Sequence, residues 1–351
     1  MIAACLKTIK FNFKNKRFLS QALPLSLTFN LTSLCPLKCK TCNIWKSEPH
    51  AELSLEQYEK IFVSINTPIE WIVITGGEPF LRADLDKIVA GIIKYLKPKF
   101  INIASCGYYP ELSVLKTQNI LSLSGNCRIK VNLSIDGIEG QHDYIRGTDG
   151  SYVNVVRTFK LLKGLKHKNL SLGINTVISK YNIGSLRQLS DKIAQLLPSS
   201  HFFEFAQKRE ELKNSGMDFL ASEEASINWL KKEACLSKNI KNSFIVDLLR
   251  AAYYKYLLLI FQGRAIPLGC FSGYAFGHVS PEGMVYNCCV RQDPLGDLKE
   301  VNYDFKKIWF SDVKKSISEQ INREKCSCSS VSSFYINLLC SLARIYSLFL
   351  A

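Results

Sequence analysis

The chain has 351 residues, 47% of them hydrophobic, and its 45 Lys and Arg against 30 Asp and Glu give a formal charge of +15. That length and apolar content describe a globular protein with room for one large catalytic domain and a small appendage, and the 13 cysteines show no disulfide-scaffold pattern. The charge implies attraction to anions, but the cations are dispersed, with no basic stripe interleaved with aromatics, which disfavours nucleic acid as a partner.

Residues 1–24 form a basic segment in which Lys7, Lys10, Lys14, Lys16 and Arg17 follow Met1-Ile-Ala-Ala-Cys5, without a secretory signal, so a cytoplasmic location is expected. Strands are predicted at 25–32, 71–75, 100–104, 130–135, 170–178 and 201–205, and helices at 54–65, 84–96, 110–123, 151–166 and 183–197. Ser54 followed by Gln57 has the pattern of a capping box. Strand and helix in repeated alternation argue for parallel βαβ units. Six units are too few to close an eight-fold barrel, so the expected fold is α/β, a partial (β/α)6 TIM-like barrel over 25–207 with an open side for substrate.

The loop leaving the first strand carries Cys35-Pro-Leu-Lys-Cys39-Lys-Thr-Cys42. Three thiolates at this spacing can each hold one iron of a [4Fe–4S] cube and leave the fourth iron open, although short Cys spacing also suits a zinc knot. The second strand runs into Gly76-Gly77-Glu78-Pro79, where two glycines allow close backbone approach, Glu78 can anchor the turn and Pro79 stops the strand. The fourth strand gives Val131-Asn-Leu-Ser-Ile-Asp-Gly137, with Ser134 and Asp136 on one face, and is followed by Arg146, a fork suited to a carboxylate.

The C-x3-C-x2-C loop, the GGEP turn and this polar strand end together resemble the radical S-adenosylmethionine (SAM) superfamily. The resemblance implies that Cys35, Cys39 and Cys42 hold a catalytic [4Fe–4S] cluster whose bare iron chelates SAM, and that one electron splits SAM into methionine and a hydrogen-abstracting 5′-deoxyadenosyl radical. It implies a SAM pocket built from Gly76, Gly77, Glu78, Pro79, Ser134, Asp136 and Arg146, with Asn175 and Gln207 as further contacts. One departure is Thr41, where the family usually has a bulky apolar residue before the third cysteine. Tyr108 and His142 are pocket-adjacent guesses for substrate chemistry.

After Gln207 the pattern changes to a charged helical bridge over 208–262. Residues 263–330 hold Cys270, a β-hairpin turning at Pro281-Glu-Gly283, Cys288, and Cys326-Ser-Cys328. This resembles the Twitch-type module, a shortened SPASM domain, which implies a small α+β unit with an auxiliary [4Fe–4S] cluster on Cys270, Cys288, Cys326 and Cys328, with Cys289 as a substitute for Cys288. A zinc ribbon or unligated core cysteines are the alternatives. Cys5, Cys106, Cys127, Cys235, Cys340 and, unless it replaces Cys288, Cys289 are expected to be plain packing residues.

The tail 331–351 is apolar with a narrow polar stripe of Ser333, Asn337, Ser341, Arg344 and Ser347. It is expected either to dock on its own barrel or to lie peripherally on an anionic membrane, and its polar groups argue against a span. The expected activity is SAM cleavage and hydrogen abstraction, with a net oxidation or dehydrogenation aided by the auxiliary cluster. The substrate is a small molecule or a ribosomal peptide, and the reductant is one such as flavodoxin or ferredoxin. The short stretch before Cys35 and the lack of a full SPASM cysteine run weigh against the peptide. The reading from another class is a non-catalytic iron–sulfur or zinc module.

Overall fold

The structure, a computed structural model, describes residues 21–48, 50–236, 244–264 and 268–341. Nearly all of the basic N-terminal segment, with Cys5, and the end of the tail, with Arg344 and Ser347, lie outside the described residues, as does the side chain of Cys235.

Strands β1 (Ser26–Asn30), β2 (Trp71–Thr75), β3 (Phe100–Ser105), β4 (Arg128–Ser134), β5 (Leu170–Ile178) and β6 (Ser200–Phe205) pair in sequence order and all run parallel. Between them run α1 (Leu55–Ile65), α2 (Leu85–Leu96), α3 (Pro110–Leu123), α4 (Gly140–Arg146), α5 (Ser151–Gly164) and α6 (Leu186–Ala194). The strands alternate: Leu27, Phe29, Ile72, Ile74, Ile101, Ile103, Ile129 and Val131 are fully buried against the helices. The intervening residues take the other face, as period two requires; on β4 these are the polar Arg128, Lys130, Asn132 and Ser134, on β2 Trp71, Val73 and Thr75. Phe29 anchors the helix side, meeting the Phe62 ring edge-on at 5.7 Å. The capping box forms: Gln57 N donates to Ser54 Oγ while Ser54 N donates to Gln57 Oε1.

The predicted hairpin is present as β7 (Phe276–Val279) and β8 (Met284–Tyr286), followed by β9 (Pro294–Asp297). It does not form a separate layer. β7 lies parallel beside β1, so the order is β6-β5-β4-β3-β2-β1-β7-β8-β9 in one nine-stranded sheet. The apolar Phe276 and Val279 and the unpaired edge of β1 draw the hairpin into the barrel sheet, where it extends one edge.

The bridge folds as α7 (Glu223–Leu236) and α8 (Phe244–Phe261), which pack beyond β6. α9 (Phe305–Trp309) and α10 (Asp312–Arg323) follow β9, and α11 (Val331–Leu339) ends the described chain. α11 docks on α8 through Phe334, whose ring lies 5.2 Å from Tyr253 and 4.9 Å from Tyr256. The polar stripe faces inward: Ser333, Asn337 and Ser341 are buried, and Asn337 Oδ1 accepts from Phe271 N. No helix among the described residues is long and apolar enough to cross a membrane.

Candidate functional site

The loop that leaves β1 is fastened to the barrel by backbone. Gly77 N donates to Thr32 O at 2.6 Å and Glu78 N to Leu34 O at 2.7 Å. A Cβ on Gly77 would stand 2.1 Å from Leu34 O, and one on Gly76, at φ +138, 2.4 Å from Thr32 O. The glycine pair is therefore required by the cysteine loop itself, whose backbone it must meet in van der Waals contact. On the other side Lys40 N donates to Ile145 O at the end of α4, and Asn214 Nδ2 donates to Thr41 O.

So held, Cys35, Cys39 and Cys42 line one cavity of about 220 Å³, together with Gly76, Gly77, Ser134, Arg146 and Gln207. Burial pushes the Cys35 and Cys42 thiols up to about 12 and raises Cys39 as well, against the pull of Arg146. Thiols in such surroundings stay protonated unless a strong cationic centre takes their protons' place, which is what iron does. Arg146 donates through Nη1 to Cys39 Sγ at 3.9 Å, and its Nε is buried with no hydrogen-bond partner. A wall of three thiols with an unsatisfied guanidinium edge fits an iron–sulfur centre with an anionic ligand beside it.

Four expected cofactor contacts are placed elsewhere. Asp136 is 1% exposed and does not line the cavity: its carboxylate pairs with Arg146 Nη2 at 2.8 Å and accepts from Val177 N. Burial pushes the Asp136 carboxyl up, against the pull of Arg146 and of that amide. Glu78 is 1% exposed and spends its oxygens on Phe80 N, Ser105 Oγ and Cys106 N, so it ties the β2 turn to the end of β3. Pro79 opens a short 3-10 turn and is buried with it. Asn175 sits opposite Ser134 in the β4–β5 register, and it too is absent from the cavity lining. Gln207 does line it, but its amide bonds Arg209 Nε and Ser329 Oγ. His142 is fully buried, accepts from Asp136 N through Nδ1, and is pushed down to about 3 by burial and by Arg146, so it sits under the site as a neutral ring.

Three ionisable cavity residues escaped the sequence reading. Cys106, just after β3, clusters with Cys39 and Leu37, and burial, with the Glu78 charge beside it, holds its thiol well above the ordinary range. Glu204 and Arg209 form a half-buried ion pair at 3.0 Å across the β6 end. A Ser-Cys-Gly stretch and isolated charges carry no local signal for such placement.

The second cysteine group gathers where β8, the segment before α11 and the loop after α8 meet. Cys270 and Cys326 lie within hydrogen-bonding reach of each other, which pushes the Cys270 thiol up and draws Cys326 down; the charge of Cys328 is felt at Cys270, and those of Cys288 and Cys326 at Cys328. Cys288 Sγ accepts from Arg291 N, and Tyr256 OH donates to Cys328 O. Cys289 lies within electrostatic reach of Arg209, Cys288 and Cys328. Among the described residues no three His, Cys, Asp or Glu converge on a single-ion site.

The profile of the radical SAM superfamily matches residues 29–193. An AdoMet-dependent heme synthase of Oleidesulfovibrio alaskensis is 23% identical over 305 residues, spanning 81% of this chain and 74% of that protein. The sporulation killing factor maturation protein SkfB of Bacillus subtilis is 25% identical over 297 residues, spanning 80% of this chain and 64% of that one. Among solved structures, native anSMEcpe with bound AdoMet and a Cp18Cys peptide has a similar fold, with a TM-score of 0.61 at 17% identity over 93% of this chain and 98% of that one.

Proposed function

We propose, for a chain that carries a radical SAM domain over residues 29–193 and is a radical SAM enzyme, that Cys35, Cys39 and Cys42 are the ligands of its [4Fe–4S] cluster and that a substrate C–H bond is the target. When bound, the cluster and SAM supply a hydrogen-abstracting radical. The observation that carries the residue assignment is the single cavity shared by the three cysteines, Gly76, Ser134 and Arg146. Arg146, pinned by Asp136 through Nη2, places its charge against Cys39 and leaves its Nε donor for the SAM carboxylate. Ser134 offers its hydroxyl to the ribose, and the Gly76-Gly77 backbone, free of side chains, lines the amino end. Glu78 and His142 hold the β2 and β4 strand ends in register from below.

Cys270, Cys288, Cys326 and Cys328 are the proposed ligands of an auxiliary [4Fe–4S] cluster, which would accept the electron left on a substrate radical and so favour a net oxidation. A one-electron donor such as flavodoxin or ferredoxin fits the chemistry. Peptide modification is the second reading, supported by the likeness to a peptide maturation protein and to a fold solved with a peptide.

Anaerobic reconstitution followed by SAM and dithionite tests the reading: 5′-deoxyadenosine is expected, with about eight irons per chain if both groups load. Zinc in place of iron, or SAM left intact, overturns it.

A further inference from the structure

Below the cysteine cavity, the inner face of the sheet carries two cations that the SAM chemistry does not use. Ser134 lines the cavity, and period two puts Asn132 and Lys130 on the same face of β4. At the rise of a parallel strand, Lys130 lies about 13 Å deeper. Its Nζ crosses to β6, donates to Ser200 Oγ at 2.8 Å and stands 5.3 Å from the centroid of the Phe202 ring. The crossing needs Gly173 on the intervening β5: a Cβ there would lie 1.9 Å from Asn132 Oδ1 and 2.8 Å from Lys130 Cε.

Arg250, on α8, brings its guanidinium within 5.1 Å of the same Phe202 ring and is only 4% exposed. Its Nε and Nη2 are both buried without a hydrogen-bond partner. These two atoms share one edge of the guanidinium, the fork that grips two oxygens of a carboxylate or phosphate. Among the described residues Lys130 is held by a hydroxyl and not by a carboxylate, and the Arg250 edge by nothing; burial, with the charge of Arg250 added, pushes the Lys130 ammonium down to about 8. Two like charges on one ring, with a buried bidentate edge left unpaired, cost free energy that an anion drawn in beside them would recover.

We propose that Lys130 and Arg250, gathered on Phe202, form an oxyanion subsite at the base of the barrel that holds a carboxylate or phosphate of the substrate. The subsite rests on the reading of the barrel interior as the substrate chamber and narrows its occupant to an elongated molecule with an anionic group remote from the reacting C–H bond.

The test titrates the full-length chain with inorganic phosphate and, separately, with succinate, reading affinity by calorimetry and the shift in melting temperature. Saturable binding of one or both is expected, and the tighter of the two identifies the oxyanion. Lys130→Met and Arg250→Leu should each weaken binding about ten-fold or more, and Arg250→Lys, which keeps the charge but loses the fork, should weaken it less than Arg250→Leu. Lys130→Met removes one of two like charges, so it should melt no earlier than the wild type without oxyanion, and lost binding cannot then be lost folding. Absence of binding to the wild type overturns the subsite, as does undiminished binding to both folded variants. Formation of 5′-deoxyadenosine by the wild type is read in parallel: oxyanion binding without SAM cleavage keeps the subsite and removes the proposed reaction, and the opposite result does the reverse.

Discussion

Asp136 and Arg146 are locked together 2.8 Å apart beneath the cysteine loop, and the same guanidinium reaches on to Cys39 Sγ at 3.9 Å. The end of β4 therefore acts on the cavity through an intermediary. A carboxylate that never touches the cavity fixes the cation that does.

Breaking that pair leaves a buried guanidinium without its counter-charge. Asp136→Ala should cost about 3–5 kcal/mol in a urea titration. Asp136→Leu combined with Arg146→Met should recover part of the loss, giving a coupling in a double-mutant cycle that two independent surface charges would not show.

Iron content separates ligands from neighbours. Cys35→Ala, Cys39→Ala and Cys42→Ala should each lose about four irons per chain and all 5′-deoxyadenosine formation, whereas Cys106→Ala, in contact with Cys39, should keep its iron. Equal iron loss in Cys106→Ala would mean that it ligates.

Gly77→Ala forces a methyl against Leu34 O, 2.1 Å from where the Cβ would stand. The loop must move, and an overpacking cost of about 1–3 kcal/mol is expected in thermal or chemical unfolding, with poor iron incorporation measured by absorbance. Gly216→Ala, which meets nothing within 4 Å, is the control.

Lys130 gives the fold a pH signature. Its ammonium falls from an ordinary 10.5 to about 8 on folding, because burial and Arg250 both disfavour the charge. Below pH 8 both states hold the proton and the whole penalty is present. Between about 8 and 10.5 the unfolded chain binds more protons, so this residue makes stability rise with pH, by up to about 3 kcal/mol, and above that range both states are neutral. Urea midpoints across this range should climb more in the wild type than in Lys130→Met; equal slopes would dismiss the effect.

Much of the frame was legible because it is written locally. The cysteine loop, the Gly-Gly turn and the six barrel strands are each signalled by residues within ten positions of one another, and β1 to β6 fall at the predicted places. The hairpin was also visible, from the turn at Pro281-Glu-Gly283. Its place was not: pairing of Leu27 with Gly277 depends on which sheet edge remains free once β1 and β2 have paired.

The sequence by itself determined that three thiols leave the end of a barrel strand, since spacing along a chain is a covalent fact. Only the tertiary structure decided which groups would meet there. Asp136 turned from the cavity to Arg146, Glu78 turned to the Cys106 amide, and Lys130 came to share a ring with Arg250 from 120 residues away. A buried charge takes whatever partner the packing of distant strands and helices brings within about 3 Å, and no short stretch of sequence encodes that distance.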